Sequence, residues 1–412
     1  MSWAEIAIGD LGRVVTGDTP PRKNPEYFGS AYPFIKPTDM TVGSRLTINY
    51  EEGYSEEGFA KYRKKLIPAG STAVVTIGSI GQKLTWLQSD SFVNQAVNAV
   101  IPDQGKFDSL YVYYLLKHNL SLVKQADTGA SSGRENVSKS TFSALKVWAC
   151  LDLNTQKRIA EVLDAFDSAV EVNQCRITLL ESVARRIYRE WFVHLRFPGH
   201  ESVSLKGGVP EGWNTQKLSS VANVNERTIG TKNRPDSIRY IDISSVTPGM
   251  IGEVSTYNFV DAPGRARRLV KHGDLIWSCV RPNRRSYALI WEPDEKLVVS
   301  TGFAVISASS VPFSYLYFTA TTDDFVSHLE QNATGATYPA VTAKTFEEAE
   351  IVVPDPDLLE SFDALVLPML KQMETLKLQN ASLICARDLL LPKLMSGQLD
   401  VINIPLPEEV AA

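Results

Sequence analysis

The sequence predicts an α+β protein written as a repeat, with two mixed α/β domains in pseudo-twofold relation, each leading into a long helix. Three observations carry that expectation. Four patterns recur in the same order about 205 residues apart, each half mixes short β-branched runs with helical stretches, and two segments repeat a seam residue at helical spacing without a break.

The matched patterns run in parallel. Tyr32–Lys36 leads into Asp39–Thr41 as Ser237–Ile241 leads into Asp242–Ser244. Ile67–Val75 has its counterpart in Val270–Ser278, a glycine turn followed by a β-rich run, and Phe92–Ile101 has its counterpart in Val298–Ile306. Thr128–Phe142 returns as Thr334–Phe346. The side chains between these anchors differ widely, as expected of one scaffold carrying two different surfaces. Helices are expected over 109–126 and 314–331, and short runs broken by Gly, Pro, Asn and Asp read as strands. The boundaries follow: a first α/β domain over 1–150, a helical region over 151–198, a second α/β domain over 199–355, a second helical region over 356–402 and a tail over 403–412.

Each helical region carries a coiled-coil seam. In the first, Ile159, Leu163, Phe166, Val170, Asn173, Ile177, Leu180, Ala184, Ile187 and Trp191 recur with alternating steps of four and three. In the second, Phe362, Val366, Met369, Met373, Leu376, Asn380, Leu383, Arg387, Leu390 and Leu394 keep the same steps with one charged intruder, and Pro368 is expected to kink its beginning. One such seam alone reads as an amphipathic helix facing a core, but two matched seams closing the halves of a duplication favour a coiled coil. Each has one asparagine near its middle, a residue that fixes register at a cost in stability. Antiparallel pairing would bring Asn173 and Asn380 together.

Composition narrows the class. At 412 residues, 44% hydrophobic and 22% charged, the chain can core two or more domains. Met1–Ile6 has neither the basic stretch nor the apolar core of a signal peptide, and no run of about 18 uncharged apolar residues occurs, so a cytoplasmic location without a membrane span is expected. The net charge of −5 conceals a division. Arg265, Arg267, Arg268, Lys271, Arg281, Arg284 and Arg285 are interrupted only by Asp274, so a basic patch can exist within an acidic protein.

Catalytic chemistry is hard to find. There is no phosphate-binding loop, the nearest being Gln104–Phe107, and no Asn/Asp-Pro-Pro-aromatic tetrad or glycine-rich cofactor loop of an adenine methyltransferase. His118, His194, His200, His272 and His328 are scattered without metal-pair spacing, and Cys150, Cys175, Cys279 and Cys385 read as buried free thiols. No catalytic residue, metal or cofactor is expected, although the short, degenerate motifs of carboxylate nucleases leave that class open on spacing alone. What remains are polar, basic loops. Thr19–Lys23 and Arg227–Arg239 read equally as solvated turns or as contacts. Arg281–Ser286 is sharper, because three guanidinium groups and an amide between two β-runs suit phosphates and base edges.

Taken together, these residues resemble the specificity subunits of type I restriction-modification systems over essentially the whole chain. The resemblance rests on Thr19–Gly29, the Asn94-Gln95 pair, Ser131–Phe142, Arg281–Ser286, Ser300–Val305 and Thr337–Lys344. The helices add Gln156–Ala160, Arg189–Val193 and Leu390–Leu399. Two departures are local: Ala96 stands where a glycine is usual, and Cys150–Asn154 introduces the first helix where a proline-rich stretch is usual. The resemblance implies two target-recognition domains reading the halves of a split double-stranded DNA site, held by two long helices in an antiparallel coiled coil. It implies methyltransferase subunits, two in number, docked on the helices, and restriction and translocase subunits joined through them. S-adenosylmethionine, ATP and magnesium belong to those partners, and the chain itself catalyses nothing. By the same resemblance, DNA contact falls to Arg22, Lys23, Gln82, Lys83, Asn94, Gln95, Ser131, Ser132, Arg134 and Lys139 in the first domain. In the second it falls to Arg227, Lys232, Arg234, Arg281, Asn283, Arg284, Arg285, Ser300, Thr301, Tyr338 and Lys344. The alternatives are a specificity subunit of a modification-only methyltransferase and a coiled-coil scaffold that reads no DNA.

Overall fold

The computed structural model describes residues 3–127, 135–230 and 234–401. The chain divides into two compact units, Met1–Asn173 with Leu378–Ala412, and Gln174–Lys377. The division falls inside both long helices. Helix α1, Leu153–Tyr188, and helix α2, Pro356–Met395, each give one half to each unit. Each unit therefore holds its own stretch of the helix pair within its own core.

Both helices start the same way. The Asp152 carboxylate accepts from the Thr155 amide at 2.8 Å, and Asp355 accepts from the Asp357 amide at 2.9 Å, each satisfying a donor that the first helical turn leaves open. Pro356 stands first in α2, where its missing N–H costs nothing. The expected kink at Pro368 does not end the helix, which runs on through it. Beyond α2, Gly397 takes φ +73, the left-handed conformation that stops a helix, and a Cβ there would press on the Trp3 ring at 2.9 Å. Helix α1 instead ends in one wide π turn, Arg189–Val193, closed by the His194 amide on the Arg189 carbonyl at 2.8 Å.

The two units share one topology. In the first, strands β1 (Gly12–Thr16), β2 (Thr72–Val75), β3 (Leu84–Trp86) and β4 (Val97–Pro102) form an antiparallel sheet in the order β1-β4-β2-β3. In the second, β5 (Ala222–Val224), β6 (Leu275–Ser278), β7 (Tyr287–Leu289) and β8 (Phe303–Ala308) repeat it as β5-β8-β6-β7. A second small sheet recurs too, with one parallel pair in each unit: Phe34 and Ile35 beside Phe92 and Val93, and Arg239–Ile241 beside Leu297–Val299. A terminal pair completes each unit, Trp3–Ala7 with Lys146–Cys150 and Asn214–Lys217 with Glu350–Val353.

Successive side chains of these strands serve opposite cores, which is the period-two geometry of a sheet covered on both faces. Val14, Val74 and Val100 pack with the buried run Tyr111–Leu116, whereas Val15, Ala73, Val75, Val97 and Ala99 pack with Ile35, Met40 and Val93. In the second unit Leu275, Trp277, Ala304 and Ile306 face one core, and Ile276, Phe303 and Val305 face the other. The two helical stretches expected over 109–126 and 314–331 are each two helices. Asn119 ends Ser109–His118, with its side chain donating to the Leu115 carbonyl, and Thr322 caps Asp323–Gln331 after Phe313–Thr319. Side chains that hydrogen-bond nearby backbone compete with helix continuation there, a local effect that apolar periodicity does not register.

The helices pair antiparallel within each unit. In the first, Asn173 meets Asn380 while Asp167 meets Arg387, so a step back along α1 is a step forward along α2. Ile159, Leu163, Leu391 and Leu394 are buried in that unit, with Phe166, Val170, Leu383 and Leu390 half-buried. In the second, Ile177, Ala184, Phe362, Val366, Met373 and Leu376 are buried, and Leu180, Ile187, Trp191 and Met369 pack partly exposed against the same core. Tyr188 and Phe192 lie deeper than their seam neighbours Ile187 and Trp191, and the Phe192 ring centroid stands 5.0 Å from that of Phe362.

Candidate nucleic-acid interface

In the first unit, loops at one end of the β1-β4-β2-β3 sheet are stitched together by their backbones. The Asp18 amide donates to Val93 O at 3.0 Å, Thr76 to Ala96 O at 2.9 Å, Val137 to Thr76 O at 2.9 Å and Gly78 to Glu135 O at 3.1 Å. Gly17 makes this approach possible, since a Cβ there would fall 2.0 Å from the Val93 carbonyl oxygen. The result is an open cleft of about 570 Å³ lined by Lys36, Thr38, Glu51, Ser79, Asn94 and Gln95 among others. Asn94 Oδ1 accepts from the Ala96 amide at 3.1 Å, and Gln95 Oε1 accepts from the Thr19 hydroxyl at 2.6 Å. With both oxygens engaged, each amide turns its NH2 donors to whatever enters.

Charge in this cleft is partly neutralised from within. Arg22 forms a two-pronged pair with Glu52, and Lys36 bridges Glu51 at 2.8 Å and Glu52 at 3.1 Å. The Arg22 hydrogen bond above all, with Lys36 beside it, pulls the Glu52 carboxyl down to about 2. Lys83 is half-buried with its ammonium on the Pro37 carbonyl at 2.8 Å, so it ties two loops together. Lys23 and Gln82 are exposed, and Lys139 is exposed on the far side of Val137, in a separate cleft with Arg13, Lys64 and Lys65.

In the second unit the corresponding ends gather around Arg281–Ser286. The Arg281 amide donates to Pro339 O at 2.7 Å, Val341 to Cys279 O at 2.8 Å, Cys279 to Gly302 O at 2.8 Å and Thr301 to Arg265 O at 2.8 Å. Four segments distant in sequence thus form one edge. Arg281 and Arg285 both adopt φ +53, a conformation that costs a non-glycine residue roughly 1–2 kcal/mol, and they bracket the turn Pro282–Arg284. Their guanidinium groups are occupied. Arg281 lies over the Tyr338 ring at 4.3 Å from the centroid and donates to Thr337 O at 3.4 Å, while Arg285 pairs with Asp323. Asn283 and Arg284 are exposed at the tip, and neither side chain has a hydrogen-bond or ion-pair partner among the described residues.

The sequence-derived residues are therefore brought together in two groups, Asn94 and Gln95 with the Arg22 network, and Arg281–Arg285 with Thr301 and Tyr338. Others stand apart. Arg227 lies 4.0 Å from Asp274, whose buried carboxyl is raised by desolvation, Arg234 is exposed ahead of the strand Ser237–Ile241, and Lys344 faces Glu348 at 3.7 Å. Ser300 is a correction: it is fully buried and its hydroxyl accepts from the Gly302 amide at 3.1 Å, so it shapes the turn that presents Thr301 and cannot touch DNA itself. Ser131, Ser132, Arg134 and Lys232 lie outside the described residues. Arg265, a member of the local basic run, joins this edge: its side chain is 61% exposed and stands 3.8 Å from the Asp242 carboxylate. Asp167, the buried partner of Arg387, was missed, because a lone carboxylate on an amphipathic helix gives no sequence signal.

Of the four cysteines expected to be buried thiols, only Cys150 is; Cys279 is half-buried, and Cys175 and Cys385 are exposed on the outer faces of the long helices. Among the described residues no group of His, Cys, Asp or Glu could hold a metal ion, and no helix is long and apolar enough to cross a membrane. Amide donors, guanidinium groups and hydroxyls on rigid loops are instead the chemistry of base-edge and phosphate recognition.

The comparisons agree with that chemistry. A family model described as type I restriction modification DNA specificity domain matches residues 1–182. The chain is similar to the type I restriction enzyme MjaIX specificity subunit of Methanocaldococcus jannaschii, 24% identical over 411 residues, covering 97% of this chain and 94% of that protein. It is also similar to the HindI specificity subunit of Haemophilus influenzae, 33% identical over 147 residues, 35% of this chain and 31% of that one. The crystal structure of a type I restriction-modification S subunit from M. genitalium shares the fold, with a TM-score of 0.58 at 15% identity over 95% of this chain and 96% of that one.

Proposed function

We propose, on the premise that the chain belongs to the family of specificity subunits of type I restriction-modification systems, that it reads a two-part duplex DNA site and directs partner enzymes to it. Each unit reads one half. The single observation that carries this reading is the convergence, at the loop ends of the same four-stranded sheet in both units, of polar side chains that differ in kind. The first presents amide donors from Asn94 and Gln95, the second an arginine turn with Asn283 and Arg284 at its tip. One scaffold with two unlike surfaces suits two unlike half-sites.

In this reading the chain is not itself an enzyme and binds no cofactor. S-adenosylmethionine is bound by methyltransferase subunits docked on α1 and α2, and ATP and magnesium by restriction and translocase subunits joined through them. The test is a methylome. Co-expression with the methyltransferase in a host without its own system should place N6-methyladenine in one split motif. Exchanging the Arg281–Ser286 loop should then alter one half of that motif and leave the other half and the spacer as they were. A single uninterrupted motif, or methyl transfer by the purified chain alone, would overturn the proposal.

A further inference from the structure

Strand β1, the turn Arg63–Lys65 and the start of the helix Lys139–Ala144 meet in the first unit around a cleft of about 300 Å³. Its charged lining consists of Arg13, Lys64, Lys65 and Lys139, and no acidic side chain lines it. Lys65 is anchored, donating to the Thr16 carbonyl at 3.0 Å, while Arg13, Lys64 and Lys139 are exposed and unpaired among the described residues. Two like charges about 4 Å apart repel by about 1 kcal/mol in water and about 4 at a protein surface, so crowding four cations is unfavourable unless an anion joins them.

The second unit holds the counterpart cations in a different setting. The repeat that aligns Ile67–Val75 with Val270–Ser278 sets Arg267 and Arg268 where Lys64 and Lys65 stand. Arg267 lies over the Phe259 ring at 4.8 Å and donates to Ala266 O at 2.8 Å, and Arg268 is half-buried, with desolvation lowering its pKa. In the first unit only Lys65 has such a contact, on the Thr16 carbonyl, and Lys64 is exposed without a ring or carbonyl partner among the described residues. The cleft also borders the loops described above, because Thr16 runs into Gly17–Thr19 and Lys139 follows Val137, which is bonded to Thr76.

We propose that this cleft binds phosphates of the duplex backbone beside the half-site of the first unit, an inference that rests on the DNA-recognition reading above. Arg13, Lys64 and Lys139 make sequence-independent contacts there, and Lys65 holds its place through Thr16. The experiment is a salt titration of duplex binding by the full chain assembled with its methyltransferase, for the wild type, R13A, K64A, K139A and the triple variant. Each lost phosphate contact lowers the slope of log affinity against log salt by about 0.9, so the triple variant should be shallower by about 2–3 units. Affinity should fall equally for native and scrambled duplexes, the base preferences in a randomised-site methylation library should not move, and R13K should restore most of the R13A loss.

An unchanged slope in the triple variant, or a changed preference at any base, would overturn the cleft assignment while wild-type binding still upheld the general reading. Loss of the methyltransferase from the complex with the slope intact would also overturn it, since the anion would then be an acidic protein surface. A wild-type assembly without salt-dependent DNA binding would instead remove the general reading.

Discussion

Asn173 donates through Nδ2 to Oδ1 of Asn380 at 3.0 Å, and both amides are 8% exposed within the first unit. Asn380 in turn donates to the Val170 carbonyl at 3.4 Å. The two asparagines, one from each helix, are each other's partner across a seam whose other positions are apolar except for Arg387. Replacing one alone strands the other, which costs about 1–3 kcal/mol for a buried unsatisfied amide. N173L and N380L should therefore each lower the denaturation midpoint, whereas the double variant should recover most of the loss. A double-mutant cycle gives the coupling, expected at about 0.5–3 kcal/mol. Additive effects of the two single changes would mean that the amides do not act as a pair.

The buried polar cluster beside them makes a pH prediction. Lys117 is 11% exposed, its ammonium has no hydrogen-bond acceptor, and Asp167 at 3.9 Å is shared with Arg387 and the Tyr114 hydroxyl. Desolvation outweighs the pull of Asp167 and lowers the lysine to about 8. A lysine with its folded pKa below its unfolded value of about 10.4 weakens the fold when charged, and the penalty fades as pH rises between the two. K117M should therefore be more stable than wild type at pH 7, and the gap should close between about pH 8 and pH 10.4. A gap that stays constant across that range would show the lysine to be solvated.

Much of this fold could be read from the sequence because its signals are periodic. Three of the four repeated anchors are equivalent strands and the fourth ends in equivalent short helices, Lys139–Ala144 and Ala343–Glu347, while the seam placed Asn173 against Asn380. Arg387, the charged residue in the second seam, is answered by Asp167, which is not a seam position and has no periodic mark. The interface loops were legible as a set, since arginine and amide types at turns are visible, yet their individual roles were not. Whether Arg281 points outward or lies over Tyr338, and whether Ser300 faces solvent or Gly302, depends on contacts between segments dozens of residues apart.

Glu52 holds two cations beside the cleft, Arg22 and Lys36. Its carboxylate stays charged down to about pH 2. Any phosphate reaching Arg22 must displace that carboxylate. E52Q should free Arg22 while Lys36 stays on Glu51, strengthen binding to duplexes of any sequence and steepen the salt slope by up to about one unit. A flatter slope in E52Q would show that Glu52 holds the cations in place for contact instead of withholding them.

The three arginines of the Arg281–Ser286 turn should not be equal. Arg281 and Arg285 spend their guanidinium groups on Tyr338 and Asp323 and hold a left-handed backbone, so their part is to present the turn. Arg284 is exposed at its tip with Asn283 and has its full fork of donors available. A bidentate arginine–guanine contact is worth about 1–3 kcal/mol of discrimination. R284A should therefore relax one position of one half-site, whereas R285A should change little in either base preference or salt slope, since Asp323 already neutralises that cation. At Arg281, R281G should keep the turn, because glycine accepts φ +53 without strain, and should weaken modification only through the freed Tyr338 ring; R281P, with φ fixed near −65°, should lose it entirely. The triple alanine variant should abolish methylation at the native site while co-purification with the methyltransferase persists. Methylome sequencing of hosts carrying each variant reads all of these. Retained methylation in the triple variant, or equal loss in R285A and R284A, would remove the tip of this turn from the recognition surface.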